Sequence, residues 1–165
     1  MLRIIDKVLR KIEDTVTIAG LGIMTALVIV QIIARFVFNA PLKWSEEVAR
    51  FIFLWVVFIG VSYATRERLH IRLTLLYERF PPKVQTILEI AYNIGIIVLL
   101  VLLIEKSIPV LVRQNRLPMP ATQILPMSYV FIAIPIGFSM TIIRTLMQIY
   151  EDAKKLAEGK VADKT

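Results

Sequence analysis

Six residues in one short stretch have the types and spacing for ion pairing or recognition: Arg35, Trp44, Glu46, Glu47, Arg50 and Trp55. Glu46 and Arg50 are four apart and share a helical face, whereas Glu47 lies about 100° round from Glu46. Arg35 comes within reach of Glu46 or Glu47 if the chain turns back between them. Such a cluster can fix a hairpin at a wet boundary or present charge to a partner subunit. A proton relay fits it less well, because no acid sits at the middle of either flanking helix. A second group, Arg66, Arg68, His70, Arg72 and Arg79, accompanies Leu69, Leu73, Leu76 and Phe80 on one helical face, a pattern suited to lipid headgroups. Glu89, with Asn93 one turn later, is expected to snorkel to the interface or to pair with an arginine such as Arg144. Gln31 and Asn93 can bridge helices through side-chain hydrogen bonds.

Several chemistries have no residues to carry them. The chain has no cysteine, which excludes a disulfide framework, thiolate metal sites and covalent c-type haem. His70 is the single histidine, so bis-histidine haem ligation is excluded as well. No H-x-x-x-H pair, phosphate-binding glycine loop or G-x-S-x-G elbow occurs, and the reading is of a non-enzyme without cofactor or metal. The net charge of +7 comes from basic clusters between long apolar runs, with no aromatic-interleaved patch, which favours lipid headgroups over nucleic acid.

The elements that must position these residues are membrane spans. Hydrophobic residues make up 57% of the 165 positions and charged residues only 20%, with a mean hydropathy of +0.70. The fold class is therefore all-α integral membrane, with four transmembrane helices in one domain. The spans are expected at 15–38, 45–65, 84–104 and 125–147. Ser45 is the expected N-cap of the second, with Glu46 and Glu47 in its first turn. Pro135 is expected to kink the fourth near Ile132. The pair Gly20 and Gly22 reads as close helix packing. Leu2, Ile5, Leu9, Ile12 and Val16 recur at helical spacing, so residues 1–14 form an amphipathic segment, either on the membrane surface or as an extension of the first span. Residues 66–80 are expected as an interfacial helix stopped by Pro81 and Pro82, and 151–165 as a polar tail.

Orientation follows from the basic residues. The segments before the first span, between the second and third, and after the fourth hold fourteen Lys and Arg, against four (Lys43, Lys106, Arg113 and Arg116) on the other side. Both termini are accordingly expected in the cytoplasm. With no mid-membrane ionisable constellation, and with Glu13 and Asp14 preceding the first apolar run, an autonomous four-helix carrier is disfavoured. The lone His70 argues against a respiratory anchor subunit. The residues alone point to a scaffold or accessory membrane subunit.

The run from Arg35 through Asn39-Ala-Pro-Leu-Lys-Trp44-Ser-Glu46-Glu47-Val-Ala-Arg50, followed by Trp55 and Phe58-Ile-Gly60, resembles the small permease subunit of tripartite ATP-independent periplasmic (TRAP) transporters. Ala64-Thr-Arg66, His70-Ile71, Leu75-Leu76 and Ile134-Pro135-Ile-Gly137 continue the resemblance, which covers roughly residues 15–150. It implies a bacterial inner-membrane complex with a large multi-helix permease subunit, expected as a separate chain, and a periplasmic solute-binding protein. Uptake of an organic acid, such as a C4-dicarboxylate or sialic acid, would be driven by an ion gradient, with sodium as the expected ion. The small subunit would brace a moving transport domain. Arg35, Trp44, Glu46, Glu47 and Arg50 match the motif and are candidates for subunit contact or hairpin structure, not substrate ligands.

Overall fold

The computed structural model describes residues 2–67, 81–120, 123 and 126–158. Helix α1 spans Leu2–Phe36, α2 Lys43–Arg66, α3 Pro82–Gln114, α4 Ser128–Phe131 and α5 Ala133–Ala157. Among the described residues there is no strand, and a single β-bridge joins Pro118 to Pro126. Four helical stretches, Ile4–Phe36, Trp44–Arg66, Lys83–Gln114 and Ser128–Ala157, are long and apolar enough to cross a membrane.

The helices form a row more than a closed bundle. The principal contacts run from α1 to α2, from α2 to α5 and from α5 to α3. The middle helices α2 and α5 therefore bury the most surface, while the spans of α1 and α3 stay almost wholly uncovered. In α1, Ile18, Ile29, Ile32 and Ile33 face outward, and in α3 Ile94, Val98, Leu99 and Leu102 do the same. Apolar side chains so exposed need lipid or another protein around them.

Two glycines make the row tight. At Gly137, a Cβ would stand 2.6 Å from the Phe58 carbonyl carbon and 2.7 Å from Phe58 Cβ, so α5 touches the backbone of α2 there. At Gly20, an added Cβ would collide with the Val56 methyl. Gly22, by contrast, has open space beside it, so only the first glycine of the pair packs as expected. Phe58 and Phe138 then meet edge to face with ring centroids 5.3 Å apart.

Several boundaries differ from the expected ones. Of the two readings of residues 1–14, the described residues take the second, an extension of the first span: Leu2–Phe36 is one unbroken helix, α1, about 52 Å long at 1.5 Å per residue. The third span runs ten residues past Ile104, through Pro109 to Gln114. The fourth starts at Ser128, breaks at Ile132 and continues to Ala157, into the stretch expected as a polar tail. The break follows from Pro135, which lacks an N–H and would crowd the carbonyl of Phe131 in a continuous helix. Pro135 instead occupies the first turn of α5, where the missing donor is harmless. Helix α2 begins at Lys43, so Ser45 lies inside its first turn instead of capping it. The interfacial helix expected at 66–80 falls, beyond Glu67, outside the described residues, and Arg68, His70, Arg72 and Arg79 lie there too.

Candidate functional site

The two ends of the row are held by different chemistry. At the hairpin end, α1 and α2 are joined by the turn from Val37 to Leu42, where Asn39 takes φ of 49°, a left-handed value that asparagine tolerates better than most residues. Gln31 pins this turn. Its Oε1 accepts hydrogen bonds from Ser45 Oγ at 2.6 Å and from the Leu42 backbone N–H at 3.1 Å, and its Nε2 donates to Glu46 Oε1 at 3.4 Å. The Arg35 guanidinium takes no part. It lies 5.8 Å from the Phe36 ring centroid and has no acidic partner among the described residues. Glu46, within reach of Arg35 on the sequence, is bonded instead by the neutral Gln31 amide.

Beyond the hairpin, Trp55 Nε1 donates to the Tyr129 carbonyl at 3.3 Å, and its ring tilts against Phe51 with centroids 6.2 Å apart. Trp44, in the first turn of α2, is exposed. Glu46, Glu47 and Arg50 line a cleft of about 390 Å³, walled by Phe51, Leu54, Met119, Met127 and Phe131. Four of the six candidates, Glu46, Glu47, Arg50 and Trp55, therefore gather where α2 meets α4 and the residues around Met119 and Met127, while Trp44 and Arg35 stand apart. The lining is thus mostly apolar, with three charged side chains, Glu46, Glu47 and Arg50. Among the described residues no group of three His, Cys, Asp or Glu side chains is placed to hold a metal.

At the other end, which carries both termini, a buried ion network joins three helices. Glu13 has no exposed surface. Its Oε1 accepts from Ser62 Oγ at 2.6 Å and from Arg144 Nε at 2.9 Å. Its Oε2 accepts from Arg66 Nη1 at 3.1 Å and Arg144 Nη2 at 3.0 Å. Arg144 thus grips Glu13 with the planar fork that only arginine offers. The remaining guanidinium donors are used as well. Arg144 Nη1 bonds Asp6, and Arg66 Nη2 and Nε donate to Asp14 and Glu67, both at 2.9 Å. Arg66 also lies over the Tyr63 ring, 4.6 Å from its centroid. One helical turn further out, Gln148 Nε2 donates to the Thr65 carbonyl.

This network corrects three readings of the sequence. A buried charged constellation exists where none was expected. Arg144 is taken by Asp6 and Glu13 instead of Glu89. Arg66, grouped with the lipid-facing arginines, folds inward with its side chain 9% exposed. The signal was present in the register. Leu9, Glu13, Val16 and Gly20 recur at steps of four and three, which places Glu13 on the buried stripe of α1 rather than on its wet face. Likewise Gly137, Thr141, Arg144, Gln148 and Asp152 form one stripe of α5, so its arginine shares a face with small, packing residues. Every polar atom of Glu13 is matched, as a fully buried carboxylate requires.

The geometry defines a multi-pass, all-α membrane protein whose helices are joined by a buried ion network and a hydrogen-bonded hairpin. Residues 24–155 match the DctQ component of the tripartite ATP-independent periplasmic transporters, and the chain belongs to that family. It is 30% identical over 107 residues to a TRAP transporter small permease protein of Haemophilus influenzae, covering 65% of this chain and 66% of that one. Similarity to the sialic acid TRAP transporter small permease protein SiaQ of Vibrio cholerae is 28% over 97 residues, or 59% of this chain and 56% of the relative. The matched stretch thus spans about three-fifths of the length of these two relatives. A third relative, the isethionate TRAP transporter permease protein DctMQ of Oleidesulfovibrio alaskensis, is 30% identical over 67% of this chain but only 18% of its own length.

Proposed function

We propose that this chain is the small permease subunit of an inner-membrane TRAP complex and braces a large permease subunit while that partner moves substrate. The observation that carries this reading, beside family membership, is the division of labour in the row. Its middle is locked at both ends, and its two flanking helices offer long apolar faces to lipid or protein. A row held at both ends of its middle is suited to supporting a moving neighbour. The short isethionate match supports the partner assignment, because there a stretch like this chain makes up a small part of a longer permease protein.

In this reading both termini face the cytoplasm, as the basic flanks require, and the hairpin end faces a periplasmic solute-binding protein. The transported solute is an organic acid, with C4-dicarboxylates and sialic acid as leading candidates, and import is coupled to a sodium gradient. Trp44, Glu46, Glu47, Arg50 and Trp55 serve the subunit contact or the hairpin, Arg35 faces a partner, and Arg68, His70, Arg72 and Arg79 meet lipid headgroups. Reconstitution tests the proposal. Proteoliposomes with the large subunit and the binding protein should take up substrate under a sodium gradient, and omission of this chain should abolish uptake. Sodium-driven uptake by this chain alone would make it an autonomous carrier, and a haem spectrum in the purified protein would make it a respiratory anchor.

A further inference from the structure

The opening turns of α1 carry two apolar stripes on different sides of the helix. One, with Ile5, Leu9 and Val16, packs inward beside Glu13. The other is Ile4, Val8 and Ile12, spaced at i, i+4 and i+8, and these side chains are 69%, 53% and 41% exposed. Lys7 and Lys11 flank this outer stripe, and neither has an acidic partner among the described residues. Arg10, turned the other way, is 3.5 Å from Asp6. Asp6, already bonded by Arg144, is shared with Arg10, and the two lysines beside the apolar stripe have no acid of their own among the described residues.

Depth decides what covers this face. Helix α2, with 24 residues, is about 36 Å long, close to a hydrocarbon core of roughly 30 Å. Glu13 lies level with Ser62 and Arg66 in the last turn of α2, so it marks the core boundary on the terminal side. Residues 4–12 then run through the headgroup layer, because α1 as a whole is about 52 Å long, against roughly 40–45 Å for a bilayer with its headgroups. At that depth isoleucine and valine meet the acyl and glycerol boundary, and lysine extends its ammonium to the phosphates. The ion network fixes the rotation: Glu13 is held on the opposite side of α1, so the outer stripe cannot turn inward.

We propose that Ile4, Val8 and Ile12, with Lys7 and Lys11, form a binding face for anionic phospholipid in the leaflet on the terminal side. Each lysine near an anionic surface is worth about fivefold in lipid preference, so the pair should contribute roughly thirtyfold at low salt. The test uses the complex with its large subunit. Native mass spectrometry should show phosphatidylglycerol retained in preference to phosphatidylcholine. The double variant Lys7→Gln, Lys11→Gln should lose most of that preference, while Lys154→Gln, Lys155→Gln keeps it. Equal retention in the Lys7, Lys11 variant and the native chain would overturn the proposal. A photo-crosslinking residue at Val8 gives a separate answer that does not depend on charge variants folding. A phospholipid adduct is expected, and an adduct with a protein chain would reassign the face to a partner subunit.

Discussion

The terminal end and the hairpin end solve the same problem, joining antiparallel helices, with opposite materials. At the terminal end the joint is ionic and non-local: Glu13 and Arg144 meet across 131 residues of chain and are both buried. At the hairpin end it is neutral and local, with Gln31 and Ser45 separated by 14 residues. Three helices converge on Glu13, so a charge there has enough donors to replace water. Only one turn has to be held at Gln31, and a single amide, offering donor and acceptor together, suffices. A further difference follows. The Glu13 network pairs its charges with one another inside the row, whereas Glu46, Glu47 and Arg50 line an open cleft at the hairpin end.

The strongest way to break this contrast is to remove the central carboxylate. Glu13→Ala leaves Arg66 and Arg144 facing each other in a buried site, and should destabilise the chain by about 3–5 kcal/mol. The measurement is the thermal midpoint of the purified protein in detergent. Combining Glu13→Ala with Arg144→Met should destabilise less than the sum of the two single changes, because the second removes a charge the first strands. Strict additivity would mean that the network is not a coupled unit.

Next comes the crossing that both ends depend on. Gly137→Leu forces a side chain against the Phe58 backbone, which cannot rotate away. Overpacking of this kind costs about 1–3 kcal/mol, and Gly22→Leu, where nothing lies nearby, should be nearly neutral. A thermal-shift comparison of the two variants checks the pair directly.

How much of this was legible in the sequence follows from the same contrast. The four spans, the hairpin and the helical break ahead of Pro135 rest on runs of neighbouring residues, and periodicity, proline chemistry and hydropathy report such runs well. The outer candidates stand out in the sequence for the same reason: Glu46, Glu47, Arg50 and Trp55 sit within three turns of one helix. Even there charge puts Arg35 within reach of Glu46 or Glu47, whereas the group that bonds Glu46 is the Gln31 amide. The Glu13 network was missed because its three members belong to three different helices. Only their shared register with small and apolar residues points inward. Reading Glu13 as the wet edge of an apolar run counted its charge and overlooked its face.

At the hairpin end, Gln31→Leu strands the partly buried Leu42 N–H, while the Ser45 hydroxyl keeps its bond to the Leu42 carbonyl. The expected cost is about 1–2 kcal/mol, below that of Glu13→Ala, since solvent at this end can replace part of the lost bonding. An equal or larger loss than Glu13→Ala would invert the comparison and make the hairpin the principal lock.

The smallest effect on the fold should come from the charges that face outward. Arg50→Gln removes no ion pair among the described residues, and Arg35→Gln removes only a ring contact at 5.8 Å. Exposed changes of this type shift stability by no more than about 0.5 kcal/mol. If the hairpin end is a subunit contact, the same two variants should nevertheless weaken co-purification with the large subunit or uptake through the assembled complex. That separation of stability from assembly is the sharpest discriminator between the ends. Substitutions in the terminal network should lower the thermal midpoint and complex yield together, whereas Arg35→Gln and Arg50→Gln should lower only the second. Native midpoint, native complex yield and native uptake in both variants would leave the hairpin charges with no role beyond solubility.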